Sequence, residues 1–171
     1  MIIDLTRPGK FPLEFDIQIA ADEIDLDTDN VKLTGEARMS GKVTRHIVET
    51  VVEGDINARI EIDCTRCLKP VETELDIPFS VSYTSPEHYT DEKETELHQG
   101  DLDLAISEDD RIDLKEVARE QILLNLPEQV LCTEDCKGLC AKCGADRNLI
   151  NCNCEEKEID PRWAALKDLI K

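Results

Sequence analysis

Eight cysteines carry the most specific chemistry in this chain. Two form Cys64-Thr-Arg-Cys67, and six fall between residues 132 and 154, in CTEDCKGLCAKCGADRNLINCNC. A structural zinc site takes four ligands. Six thiols do not divide into such sites, but the eight together supply two of them. A Cys-x-x-Cys at a strand turn is a knuckle that points both sulfurs at one ion. Cys140-Ala-Lys-Cys143-Gly144 is a second knuckle, whose glycine relieves the turn and lets backbone amides approach sulfur. One partition places Cys64, Cys67, Cys132 and Cys136 in one site and Cys140, Cys143, Cys152 and Cys154 in the other. It makes the second site local and closes a short loop at low entropic cost. A second partition joins the two knuckles, Cys64 and Cys67 with Cys140 and Cys143, and leaves the other four together. A third is one metal with four spare thiols. Tetrahedral thiolate makes zinc the expected ion, two per chain, with iron as the alternative. Structural zinc adds folding free energy on the order of 10 kcal/mol. That matters for residues 127–154, which have almost no apolar side chains for a core of their own.

A catalytic reading finds little support, and no catalytic residue is assigned. All-cysteine sites leave no open position for water. His46, His88 and His98 lie away from the cysteine clusters, and no nucleophile motif or phosphate-binding loop is present, so no small-molecule substrate is expected. The enzymatic alternative is a thiol-disulfide redox protein using Cys64 and Cys67, with Arg66 lowering a thiol pKa. Against it, the motif does not open a helix in a βαβ context.

The elements that must position these thiols are legible from periodicity. Phe11, Leu13, Phe15, Ile17 and Ile19 alternate, as do Val31, Leu33, Ala37 and Met39 around Gly35. So do Ile56 to Cys64 and Val71 to Tyr83, with Glu53-Gly54-Asp55 read as a turn signal. A period of two over these runs predicts an antiparallel sheet with one wet face. Leu102, Leu104 and Ile106 form a further short candidate strand. Asp113-Leu-Lys-Glu116 has the form of a capping box and predicts a helix over 113–126, stopping before Pro127. Leu114, Val117, Ala118, Gln121, Ile122 and Leu124 are spaced for a largely apolar face, suited to covering the sheet. Asp160-Pro161 and the stripe Trp163, Leu166, Leu169 and Ile170 predict a short closing helix, with Trp163 as a packing anchor. The fold class is therefore α+β. The expected organisation is an antiparallel β domain over 1–126, with an acidic loop at 86–100 and the helix at 113–126. A cysteine-rich metal-binding tail over 127–171, with the closing helix, packs on the same domain.

Composition bounds the partners. The 171 residues carry a net charge of −19. Residues 86–110 hold ten acidic residues and one lysine. Such a chain is repelled by naked nucleic acid except at a local basic face. Aromatic residues, 4% of the chain, are too few for a base-stacking platform. A basic partner fits the charge, the plain alternative being solubility alone. Arg66, Lys69, Lys137, Lys142 and Arg147, around the cysteines, are the candidate local basic face for nucleic acid. MIIDLTRPGK lacks the pattern of a signal peptide, and no apolar run is long enough to span a membrane. The expectation is a soluble cytoplasmic protein.

The order of motifs is an N-terminal β region, CTRCLKPV, an acidic loop, DLKEVAREQILLNLP, CTEDCKGLCAKCG and a closing CNC. In this order and over nearly the whole chain it resembles the YceD-like family of bacterial and plastid proteins. Two departures sit in loop: Ala141 replaces a common proline, and Arg147-Asn148-Leu149 replaces a shorter turn. The resemblance implies a role in accumulation of large-subunit ribosomal RNA, hence ribosome assembly. Taken with the acidic charge and the thiol clusters, it leads to the expectation of a partner that is a basic large-subunit ribosomal protein, or precursor rRNA met through Arg66, Lys69, Lys137, Lys142 and Arg147 as RNA or ribosome contacts. Relatives that keep the first knuckle with ligand-type residues at positions like Cys132 and Cys136, while lacking the later cysteines, favour the first partition.

Overall fold

A computed structural model of the chain describes residues 1–5, 11–86, 104–107 and 111–154. The strands are β1 (Ile2–Asp4), β2 (Leu13–Ile19), β3 (Val31–Leu33), β4 (Ala37–Arg45), β5 (Glu49–Asp63), β6 (Pro70–Thr84), β7 (Leu104–Ile106) and β8 (Arg111–Asp113), followed by helix α1 (Leu114–Leu124). The main sheet has the order β2-β4-β5-β6-β7, with β3 also on β5, and β1 and β8 make a separate antiparallel pair. Among the described residues the fold is mixed, mostly antiparallel β followed by one α-helix.

Two 15-residue strands, β5 and β6, form the spine, paired without interruption from Glu49↔Thr84 to Asp63↔Pro70. Their apolar residues fall on one face. Val52, Ile56, Ala58, Ile60 and Ile62 of β5 are buried beside Leu75, Ile77 and Phe79 of β6, and Ala37, Met39 and Val43 of β4 join them. Helix α1 closes this layer by burying Leu114, Val117, Ala118 and Ile122. Polar contacts lash the helix to the loop before β3. The Lys115 ammonium lies 2.5 Å from Glu23, and the Arg119 guanidinium 2.6 Å from Asp27.

Several details differ from the pattern read along the chain. Glu53-Gly54-Asp55 is not a turn: β5 runs straight through it, and Gly54 pairs with Gly41 in the core-facing row Phe15↔Gly41↔Gly54↔Phe79. The glycine is there because two backbones approach too closely for a side chain. The run from Val31 to Met39 is two strands. Leu33 pairs with Ile60 and Arg38 with Asn57, so five residue steps on one side face three on the other. The surplus of two preserves the alternation, which is why period alone did not reveal the break. β7, which holds Leu104 and Ile106 of the short candidate strand, joins β6 in parallel within the mainly antiparallel sheet, and Leu102 lies outside the described residues. The helix ends at Leu124, whose side chain is 76% exposed and so not part of the apolar face. The predicted acidic loop, apart from Pro86, and the closing helix with Trp163 lie outside the described residues.

The helix start is as expected in one respect and not in another. Asp113 is the N-cap and accepts a 3.0 Å hydrogen bond from the Lys115 amide. Glu116 instead pairs with Arg119 at 3.1 Å. Asp113→Ala is expected to lower unfolding free energy by about 1 kcal/mol, measured by urea denaturation, since the cap satisfies one of the helix's orphan donors.

Candidate metal centre

The hairpin turn between β5 and β6 is the first knuckle. Asp63 and Pro70 close the strands, and residues 64–69 make the turn. The Cys64 amide donates to the Lys69 carbonyl at 2.8 Å, and the Leu68 amide to the Cys64 carbonyl at 2.9 Å. The second knuckle repeats this pattern at residues 140–145. The Cys140 amide donates to Ala145 at 2.8 Å, and the Gly144 amide to Cys140 at 2.9 Å. The fifth residue of each turn has positive φ, 59° at Leu68 and 71° at Gly144. Glycine adopts this conformation freely and leucine at a cost. The first knuckle was therefore recognisable from its cysteines but not from the residue that turns it.

After α1 the chain returns to the hairpin turn. The Thr65 amide and hydroxyl both donate to the Val130 carbonyl, at 2.8 and 3.0 Å. This brings Cys132 and Cys136 over Cys64 and Cys67. The four Sγ atoms lie within 4.8 Å of one another, and so do those of Cys140, Cys143, Cys152 and Cys154. The structure thus groups the thiols as in the first of the three partitions. In the first cluster Cys64 and Cys136 sulfurs are 3.8 Å apart and Cys67 and Cys132 sulfurs 3.4 Å. Disulfides are bonded at about 2.0 Å. A tetrahedron with metal–sulfur bonds of about 2.3 Å has edges of about 3.8 Å, so the donor set and its spacing fit a tetrahedral thiolate-binding ion. Cys64, Cys67 and Cys136 are buried, whereas the second cluster is half-exposed, with Cys143 on the surface.

Electrostatics point the same way. Burial pushes the Cys64 thiol up, but the amides of Arg66, Cys132 and Cys67 outweigh it and bring the pKa down to about 6. For Cys67 the Lys69 amide pulls down, but burial and the thiols of Cys132, Cys64 and Cys136 carry it up to about 12. The second cluster repeats the split. The amides of Cys143 and Lys142 lower Cys140 to about 6, while neighbouring Cys143, burial and Cys140 raise Cys154 to about 12. Four thiols at this spacing cannot all ionise against their mutual repulsion unless a cation sits among them.

The five basic residues read as a local face are placed differently from one another. The Arg66 guanidinium donates to the Cys136 carbonyl at 2.8 Å, and Lys69 pairs with Asp146 at 2.9 Å, so both hold the cysteine region together. Lys137, Lys142 and Arg147 are exposed in and around the second knuckle. Sequence reasoning missed Asp146 and Asn148. The Asp146-x-Asn148 spacing, with its tendency to form local turns, was the available signal.

These observations define a class: a β-sheet protein whose central hairpin ends in a four-cysteine cluster, with a second such cluster beside it. A family model described as "Large ribosomal RNA subunit accumulation protein YceD" matches residues 52–170. The chain belongs to the YceD family. It is 28% identical to the YlbN protein of Bacillus subtilis over 99% of this chain and 95% of that one. An uncharacterized protein of Mycobacterium tuberculosis is 31% identical over 70% of this chain and 55% of its own length. A chloroplastic maize protein, named large ribosomal RNA subunit accumulation protein YCED homolog 1, is 26% identical over 91% of this chain and 60% of its own length. No solved structure gives a significant match. No helix among the described residues is long and apolar enough to cross a membrane.

Proposed function

We propose that this chain is a non-enzymatic ribosome-assembly factor that promotes accumulation of large-subunit rRNA by binding a basic large-subunit ribosomal protein. Membership of the family over residues 52–170 is the observation that carries the assembly role. The charge of −19 supports the choice of partner, because complementary potentials steer association and suppress wrong contacts. In this reading two zinc ions sit in the two cysteine clusters, each held by four thiolates, and their role is structural. They clip residues 130–154 onto the end of the β5–β6 hairpin. The work takes place in the cytoplasm.

Pull-down from large-subunit proteins at rising salt tests the partner. The expected result is capture of a basic component at low salt, lost as ionic strength screens the surface. No association with any basic ribosomal component at low salt overturns it. A second reading, direct contact with precursor rRNA, draws on the exposure of Lys137, Lys142 and Arg147. Reversing these three charges would then abolish RNA retention. The redox alternative is disfavoured because Cys64 and Cys67 lie in a hairpin turn, with Cys132 and Cys136 closing over their sulfurs.

A further inference from the structure

The loop that closes the second cluster reaches into the first. Asn148 lies between Cys143 and Cys152, yet its Nδ2 donates to the Cys136 sulfur at 3.5 Å. The orientation of this amide is set from both sides. Its Oδ1 accepts from the Lys137 amide at 2.8 Å, and its Nδ2 also donates to Asp146 Oδ1 at 2.8 Å. The other oxygen of Asp146 holds Lys69, two residues from Cys67, at 2.9 Å. Backbone contacts join the same parts: the Leu139 amide donates to the Arg66 carbonyl at 2.9 Å, and Gly138 lies against Arg66.

We infer that the two four-cysteine sites take up metal cooperatively, and that Asn148 is the positioning residue that couples them. The inference rests on the metal reading above and extends it from two sites to one linked pair. An ion held by Cys140, Cys143, Cys152 and Cys154 ties down both ends of the 144–151 loop. That removes much of the entropy the loop would otherwise regain on opening. The loop adds little apolar burial of its own, since Leu149 and Ile150 are 73% and 60% exposed, and polar contacts alone join it to its surroundings. With the loop held, Asn148 presents an N–H to a metal-bound thiolate, and Asp146 anchors the knuckle that carries Cys67. Donors of this kind, one step removed from the ion, orient ligands and raise affinity. Coupling is reciprocal, so occupation of the first site favours the second by the same factor.

Cobalt(II) titration of the full chain, followed by thiolate-to-cobalt charge-transfer absorption, tests this. The proteins compared are wild type, Cys64→Ser with Cys67→Ser, Cys152→Ser with Cys154→Ser, and Asn148→Ala. Independent sites would make the wild-type curve the sum of the two single-site variants. The expected result is a wild-type affinity for the pair about tenfold or more above that sum, with the excess lost in Asn148→Ala although all eight thiols remain. Asn148→Asp, which keeps the acceptor for Lys137 but turns a carboxylate toward the thiolate, is expected to weaken the first site further. This pair keeps the test intact if a cysteine variant fails to fold. A wild-type curve equal to the sum overturns the cooperativity, and an excess that survives Asn148→Ala overturns the role of Asn148 as its carrier; the metal reading stands in both cases. A wild-type chain that binds no cobalt overturns both the coupling and the metal reading.

Discussion

Stripping metal from the chain with a strong chelator is expected to melt residues 130–154 while leaving the β4–β5–β6 sheet paired. The two regions are held by different forces. Residues 49–84 bury a continuous apolar row, with Val52, Ile56 and Ile60 at 0% exposure. The tail buries only Val130 in that core, and Leu139, Leu149 and Ile150 face solvent. Its order rests on thiols, a few backbone hydrogen bonds and exposed polar contacts such as Lys69–Asp146, and a segment of that kind is expected to need the ion in place. Hydrogen exchange gives the readout. The amides of Leu139, Cys140, Gly144, Arg147 and Ile150, all hydrogen-bonded to backbone carbonyls, should lose protection on chelation. Those of Val52, Ile56 and Ile60 should not. Unchanged protection in the tail would mean that the clusters pack without metal, and the structural-zinc reading would fail.

The second large effect is expected at the glycine pair of the sheet. A Cβ on Gly41 would lie 2.2 Å from the Glu53 carbonyl oxygen, and one on Gly54 would lie 2.1 Å from that of Ser40. The obstacles are backbone atoms of a paired strand, so relief requires the strands to separate. Gly41→Ala and Gly54→Ala should each cost about 3 kcal/mol or more in urea unfolding, at the upper end of overpacking effects. Gly35 is the control. A Cβ there meets nothing within 4 Å, and Gly35→Ala should change stability by less than about 0.5 kcal/mol. A loss below about 1 kcal/mol at Gly41 and Gly54 would show that the strands can part at little cost.

The same pair shows where reading along the chain fails. Glu53-Gly54-Asp55 carries the composition of a turn, and local composition is all that such a rule sees. What makes Gly54 a strand residue is Gly41 on the neighbouring strand, together with the two phenylalanines that flank the pair in register. Leu68 illustrates the converse. Nothing about a leucine announces a left-handed turn, yet the hairpin and the sulfur cluster impose one.

Sequence alone determined what is local and repetitive here. Alternation gave β2, most of β6 and the second half of β5 with their buried faces, since side-chain direction in a strand follows directly from position. Asp113 and the spacing of Leu114, Val117, Ala118 and Ile122 gave the helix and most of the face it buries, because capping and a 3.6-residue period act within one turn. Eight thiols gave a chemistry, but left three ways of dividing them. The tertiary structure decided the division, by carrying residue 130 back to Thr65 and so setting Cys132 and Cys136 over the hairpin. It also placed Asn148 against Cys136, across two clusters that the chain order keeps apart. Both are contacts between distant segments, set by where the sheet ends and the helix delivers the chain, and no local pattern encodes them.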